Sequence, residues 1–193
     1  MPHRFIRLVL SLGLLPLAGP AVSAESKDQI MTIAGPIAVD ALGFALTHEH
    51  IMSNFGGDPR RIGGYDEAAL RAQVVPYLRS LRYDGVQTVV DCTTAYFGRN
   101  VIVLRDLAAE SGLQLITNTG WYGAAKGRYI PERAFTLTAD EIAAEWIAEF
   151  ADGIDGTTVR PGFIKLAVNA GELQPIDRKL LRAGALTHLA TGL

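Results

Sequence analysis

The sequence lacks several features that would assign a function directly. Its 193 residues carry 18 Lys and Arg against 20 Asp and Glu, a net charge of -2, so no excess of positive charge favours binding to nucleic acid. The basic pair Arg60-Arg61 lies in a glycine-rich stretch and is interpreted as part of a solvated loop. No strand-like segment is followed by Gly-x-Gly-x-x-Gly or by a phosphate-binding loop, which weakens the case for a nucleotide-binding α/β protein.

Cysteine is almost absent as well. Cys92 is the only one, so the chain cannot form an internal disulfide and must be held together by a hydrophobic core. It follows a β-branched run at the end of a predicted strand. We therefore interpret Cys92 as a small buried hydrophobic residue rather than a nucleophile.

The sequence has no apolar run long enough to span a membrane. The apolar stretch of residues 8–17 is short and is interrupted by Gly13 and Pro16. It follows the basic residues Arg4 and Arg7 and precedes the small residues Val22-Ser23-Ala24. These features favour a secretory signal over a membrane anchor. We predict a signal peptide at residues 1–24 and export to the periplasm or the medium, with no membrane attachment after cleavage.

Residues 25–193 are enough for one hydrophobic core and alternate between predicted strands and helices. A short hairpin at residues 30–39 precedes them. Strands are predicted at residues 42–50, 86–92, 113–119 and 163–168, and helices begin after the capping residues Asp66, Asn100 and Thr138 and at Asp177. Pro76 is expected to kink or split the first helix. Four βα units in sequence predict an α/β fold with a parallel sheet.

The most informative motif is His48-Glu49-His50, at the end of the first predicted parallel strand. Alternate side chains of a strand share a face, so His48 and His50 should point together. Two neutral imidazoles side by side make half of a site for zinc or a similar transition metal, although a strand histidine is often only a hydrogen-bonded residue.

Lys165 interrupts an otherwise apolar predicted strand. A lysine there is costly unless its stem reaches solvent or its amine becomes neutral, and a neutral amine can take up carbon dioxide to form a carbamate. A carbamate has two anionic oxygens that could bridge two metal ions. The alternative is a strand-end lysine paired with a carboxylate such as Glu172, and both remain open from the residues alone.

Together these residues resemble a known family. The matching segments are Gly35-Pro36-Ile37, the strand from Leu42 to His50, Val89-Val90-Asp91, Gly98-Arg99, Thr119-Gly120 and Phe163-Ile164-Lys165. In this order they are similar to the phosphotriesterase family of the amidohydrolase superfamily, from about Met31 to Leu193.

The resemblance implies a TIM-type (β/α)8 barrel, of which about the first four βα units are present. It also implies two divalent metal ions, with zinc expected, at the carboxyl ends of the strands. His48 and His50 would bind the more buried ion, and Lys165 would bridge both ions as a carbamate. A metal-activated hydroxide would then attack a small-molecule phosphoester, lactone or carboxylic ester. A homodimer is expected by the same analogy.

Two further residues have positions in the family pattern. Tyr122 falls where the family places an aromatic residue that lines the substrate pocket, although it could equally be a rim tyrosine. Asp91 matches a position that we interpret as structural support rather than as a ligand.

The departures from the family are substantial. The family takes two more histidines and an aspartate from its fifth, sixth and eighth strands, and this sequence contains none of the three. Asn100 stands where an aspartate is usual after Gly-Arg. Because a closed barrel needs roughly 250 residues, we interpret residues 25–193 as the N-terminal portion of a larger barrel domain. The alternative is a truncated, catalytically inactive exported fragment with a binding role or none.

Overall fold

The protein is described here by a computed structural model, which covers residues 29–54 and 66–193. The predicted signal peptide at residues 1–24 and most of the glycine-rich loop that follows His50 lie outside the described residues. The first two strands, β1 (Gln29–Thr32) and β2 (Gly35–Ala38), form the predicted antiparallel hairpin, with Ile30 opposite Ile37. Ile33 N–H donates to the Leu115 carbonyl at 2.8 Å and attaches the hairpin to the sheet.

The parallel strands follow one another in chain order. The central sheet has the order β3 (Ala45–Glu49), β4 (Thr88–Asp91) and β5 (Gln114–Ile116), and a second pair joins β6 (Asn118–Thr119) to β7 (Phe163–Ile164). The predicted third strand is thus divided at Thr117 into β5, which pairs with β4, and β6, which pairs with β7. This division lets one segment turn from one neighbour to the next, as a curving sheet requires.

Four helices alternate with the parallel strands as predicted. They are α1 (Glu67–Tyr83), α2 (Val101–Ser111), α3 (Ala139–Asp152) and α4 (Pro175–Thr191). Asp66 Oδ1 accepts from Ala69 N–H at 3.0 Å, Asn100 Oδ1 accepts from two N–H groups of α2, and Thr138 forms a capping box with Glu141. The side-chain caps predicted for the first three helices are therefore confirmed.

Pro76 does not split α1, which was one of the two outcomes expected for it. The helix runs as one element from Glu67 to Tyr83. Pro76 and Ala72, whose carbonyl loses its donor, are both exposed, so water can hydrate that carbonyl. On the other side of the helix Val75 and Leu78 are buried and hold it against the sheet.

Two apolar clusters support the strand ends. One packs α1 and α2 against the central sheet around Val89, Leu104, Leu107 and Leu115, and the other packs α3 and α4 around Trp146, Ile142 and Leu180. Cys92 is buried, as predicted, and burial raises the pKa of its thiol. In the described part of the chain, no helix combines the length and apolar character needed to cross a membrane.

Candidate metal centre

The candidate site lies where the parallel strands end. Neighbouring parallel strands bring their carboxyl ends to the same edge, and in barrels this edge carries the chemistry. Here β3 supplies His48 and, one residue beyond its end, His50, while Lys165 directly follows β7. His48 and Lys165 lie 117 positions apart in the sequence, and both stand at the carboxyl edge of the strands.

The two histidines come together as predicted, although the strand that carries them is irregular. Leu46 lies opposite Val89 and Glu49 opposite Asp91, so β3 has one more residue than β4 over this interval. Such a bulge redirects side chains at a strand end. The ring centroids of His48 and His50 are 5.7 Å apart at an interplanar angle of 60°.

Lys165 joins this pair. Its Nζ lies 3.4 Å from His48 Nε2, and its backbone N–H donates to the Thr119 carbonyl at 2.7 Å. The pairing with Glu172 that the sequence left open is not observed, because Glu172 faces Arg178 at 3.5 Å. One lysine amine and two imidazoles therefore converge at this edge.

Gly120 makes the approach of Lys165 possible. Its φ is +106°, and a Cβ atom built there would lie 2.2 Å from the Lys165 carbonyl oxygen. Only glycine fits both the backbone conformation and the space. Close packing against Lys165 therefore explains why glycine follows Thr119 in this part of the family pattern.

His50 is held in place on two sides. Its Nδ1 lies 3.0 Å from Thr93 Oγ1, and its ring meets Phe97 edge to face with centroids 5.4 Å apart. Partial burial of the ring, followed by the nearby His48 and Lys165, lowers the pKa of His50. The neutral form, which is the form that binds metal ions, is favoured.

Asp91 lies below the site. Burial raises its pKa to about 7, although Ile51 N–H at 3.1 Å and Thr93 Oγ1 at 2.9 Å donate to its Oδ1 and oppose the rise. Its Oδ2 has no hydrogen-bond partner among the described residues. These contacts fit the interpretation of Asp91 as support, because Ile51 directly follows His50.

The donor chemistry fits a metal ion with one qualification. Within residues 29–54 and 66–193, no three His, Cys, Asp or Glu side chains gather in a cluster that could hold a metal. Two imidazoles suit zinc and similar ions, and the third donor would have to come from Lys165 in an anionic form. His48 and His50 therefore supply two of the donors that a metal ion requires.

Tyr122 belongs to an aromatic cluster beside this site. Its ring stacks on Phe97, with centroids 5.1 Å apart and planes 11° apart, and meets Tyr129 edge to face at 6.0 Å. Because His50 also contacts Phe97, one aromatic ring connects the candidate pocket residue to the candidate ligand.

Sequence reasoning missed Thr93 and Phe97. Thr93 comes two residues after Asp91, and its position just beyond a strand end was the one signal that could have found it. Phe97 lies in a 3-10 turn, Ala95–Phe97, and has no such signal.

Two cavities border these elements. One of about 360 Å³ lies among Tyr96, Arg99, Trp121, Arg133 and Trp146, and includes none of the candidate ligands. Another of about 320 Å³ adjoins His50 and is lined by apolar residues of α1, including Val74, Leu78 and Leu81. Proximity to the histidines, rather than size, makes the second relevant to the site.

Comparison with known proteins gives consistent relatives. The model of the phosphotriesterase family matches residues 28–193. The phosphotriesterase homology protein of Escherichia coli strain K12 is 31% identical over 158 residues, which cover 81% of this chain and 52% of that protein. The aryldialkylphosphatase of Saccharolobus solfataricus is 28% identical over 180 residues, covering 92% and 51%.

A solved structure supports the same family relationship. A mutant of a phosphotriesterase-like lactonase from Deinococcus radiodurans superposes with a TM-score of 0.74 at 35% identity, over 85% of this chain and 52% of that one. The chain spans about half the length of the relatives it matches. The expected fold class, a (β/α)8 barrel with about its first four βα units present, is confirmed.

Proposed function

The chain belongs to the phosphotriesterase family, and from that premise we propose that it contributes His48, His50 and Lys165 to a metal-dependent hydrolase of phosphoesters, lactones or carboxylic esters. One observation carries the proposal. Two imidazoles and one lysine amine converge at the carboxyl edge of the sheet, with His48 Nε2 3.4 Å from Lys165 Nζ. Imidazole nitrogens are the donors that zinc and similar ions prefer, and a lysine amine beside them can become a further donor after reaction with carbon dioxide.

Each residue has a defined role in the proposal. His48 and His50 hold the more buried of two divalent ions, with zinc the expected metal, and the lowered pKa of His50 keeps its imidazole neutral. When bound, such ions supply a hydroxide nucleophile at neutral pH and polarise the oxygen of the ester under attack. Phe97 and Thr93 restrict the motion of the His50 ring.

Lys165 requires a covalent change to take part. The lone pair of its neutral amine forms an N–C bond to carbon dioxide, one C=O π bond opens, and one amine proton leaves to solvent, which gives a carbamate with one negative charge. The anionic carbamate would provide the third donor.

Tyr122 would line the substrate pocket. Its half-buried ring is stacked on Phe97, beside His50, and can present an apolar face to the leaving group of an ester. Substitution by leucine would then raise the KM for aromatic esters more than that for aliphatic lactones.

Hydrolysis by the protein tests the proposal. We expect metal-dependent cleavage of a triester or lactone that falls at least 100-fold in His48→Asn and in Lys165→Ala, and that is unchanged in His188→Asn, an exposed histidine of α4. A new resonance of the carbamate carbon after labelling with ¹³C-bicarbonate is expected in the wild type and not in Lys165→Ala. Zinc binding without hydrolysis would instead favour the alternative of an inactive exported fragment with a binding role.

We also propose that residues 1–24 direct export. Fusion of residues 1–30 to a reporter that is active only outside the cytoplasm tests this point, and activity that disappears after removal of residues 4–17 is expected. The homodimer implied by the resemblance stays a prediction, which sedimentation of the protein can measure.

A further inference from the structure

The hydroxyl of Thr93 stands at the centre of three close contacts. Thr93 is fully buried, and its Oγ1 lies 2.9 Å from the Met52 carbonyl, 2.9 Å from Asp91 Oδ1 and 3.0 Å from His50 Nδ1. A hydroxyl has one hydrogen to donate and two lone pairs that accept. The hydroxyl hydrogen can therefore serve only one of the three contacts, which limits where the other hydrogens can lie.

The Met52 carbonyl can only accept, and an ionised Asp91 can only accept. With Asp91 ionised, the single hydrogen of Thr93 can reach only one of these two oxygens, and its donation to His50 would leave both without it. The arrangement with the fewest unpaired acceptors therefore has His50 as the donor in the third contact. If Asp91 carries a proton, it can donate to Thr93, the hydroxyl still donates to Met52, and His50 again must donate. The conclusion is the same in either state.

The opposite arrangement is unfavourable. If Thr93 donated to His50 Nδ1, one more buried acceptor would face Oγ1 at 2.9 Å without a hydrogen than when His50 donates. That acceptor is the Met52 carbonyl when Asp91 is protonated, and Met52 and Asp91 are both left without a hydrogen when Asp91 is ionised. A buried acceptor left without its donor costs free energy, commonly 1–3 kcal/mol. The contacts thus select one tautomer of the imidazole.

We propose that Thr93 is a positioning residue that holds neutral His50 in the Nδ1–H tautomer and so directs Nε2, with its lone pair, to the metal site. The inference deepens the proposed function, in which His50 is a ligand, and rests on it for the metal. The tautomer itself does not depend on a metal. Free histidine favours the other tautomer, with the hydrogen on Nε2, so the protein must supply this preference.

The surroundings of His50 support the assignment. Its ring meets Phe97 edge to face, and its Nδ1 is hydrogen-bonded to Thr93. The two contacts together restrict the orientation of the imidazole. Asp91 in turn accepts from Ile51 N–H, the residue next to His50. The end of β4 therefore holds both the backbone and the side chain at this position.

The tautomer can be measured directly in metal-free protein. Long-range ¹H–¹⁵N NMR at pH 8, with ¹⁵N-labelled histidine and His50→Gln to identify the signals, distinguishes a protonated from an unprotonated ring nitrogen. We expect a protonated Nδ1 and an unprotonated Nε2 for His50. A protonated Nε2 in the wild-type protein would overturn the inference.

Two variants separate positioning from packing. Thr93→Val keeps the shape and removes the hydroxyl, whereas Thr93→Ser keeps the hydroxyl and removes a methyl group. We expect the valine variant to shift His50 towards the Nε2–H tautomer and to weaken zinc binding 10- to 100-fold, and the serine variant to retain the tautomer and affinity within about threefold. Equal losses in both variants would overturn the positioning role.

The two proposals fail in distinguishable ways. If wild-type His50 has the Nδ1–H tautomer and the protein binds no zinc, the metal-dependent function is wrong, and with it the purpose assigned to Thr93. If zinc binds tightly and Thr93→Val changes neither tautomer nor affinity, the metal centre stands and the role of Thr93 is wrong.

Discussion

At the scale of single residues, the site combines groups that the sequence identifies with groups that only the fold reveals. His48, His50 and Lys165 could be predicted because a histidine pair and a lone lysine stand out against apolar strands. Thr93 could not, because a threonine has no distinctive charge or spacing. Its importance comes from three contacts to residues that lie 2, 41 and 43 positions away.

Asp91 makes stability depend on pH. Burial raises its pKa in the folded protein to about 7, from an ordinary value of 3.8, so the folded state keeps a proton that the unfolded state releases. The free energy of unfolding should therefore fall by up to about 4 kcal/mol as pH rises from about 4 to about 7, and it should level off above that pH. Denaturant unfolding at pH 5 and pH 8, with a chelator present, measures it.

Asp91→Asn provides the comparison. His50 contributes the opposite slope, because its lowered pKa means that the unfolded state binds a proton more readily below about pH 6.5. The difference between the wild type and the asparagine variant isolates Asp91. Equal pH dependence in the two proteins would contradict the buried, proton-retaining carboxyl group.

Gly120 should tolerate no side chain. In Gly120→Ala the new Cβ would collide with the Lys165 carbonyl oxygen. We therefore expect the free energy of unfolding to fall by well over the roughly 1–2 kcal/mol that an alanine in a left-handed conformation costs. Gly85→Ala is the matched control, because Gly85 has a similar φ of +95° and nothing within 4 Å of the new atom. Thermal unfolding of both variants compares them, and equal losses would argue against the close approach.

At the scale of elements, helices were predicted more accurately than strands. Capping residues and apolar periodicity are local signals, so the first turns of α1, α2 and α3 agree with the sequence. The bulge in β3 and the division at Thr117 have no periodic signal, because they depend on the neighbouring strands. The helix is not split at Pro76, where the exposure of the proline and of Ala72 could not be known from the sequence.

Arg99 joins three elements beneath the site. It is 1% exposed, donates to the Asn118 carbonyl of β6 at 2.5 Å and pairs with Glu149 of α3 at 2.7 Å, while Thr119 also donates to Glu149. Removal of one partner from a buried pair is costly, so Arg99→Met should destabilise the protein by about 3–5 kcal/mol.

Arg71 is the matched control for this prediction. It pairs with Asp106 and Glu110 between α1 and α2, where the side chains are 29–39% exposed. Exposed pairs contribute little, so Arg71→Met should cost about 1 kcal/mol or less. Urea unfolding of the two variants measures the difference, and similar costs would show that Arg99 does not hold β6 and α3 together.

At the scale of the whole molecule, the fold places its chemistry at one edge. Five parallel strand segments, β3 to β7 in chain order, bring residues 48, 50, 93, 122 and 165 to their carboxyl ends, although up to 117 positions separate them. The sequence could predict this because βα repetition fixes strand direction. It could not predict the donor distances, which depend on the bulge and on the close approach at Gly120.

Zinc binding by the protein tests the central claim most directly. Calorimetric titration of metal-free protein should show a site that is weakened at least 100-fold in His48→Asn, His50→Asn and Lys165→Ala, and that is unchanged in His188→Asn. Binding that depends on His48, His50 and Lys165 together would establish them as one metal centre. Binding that survives these three substitutions, or no binding by the wild-type protein, would contradict the account.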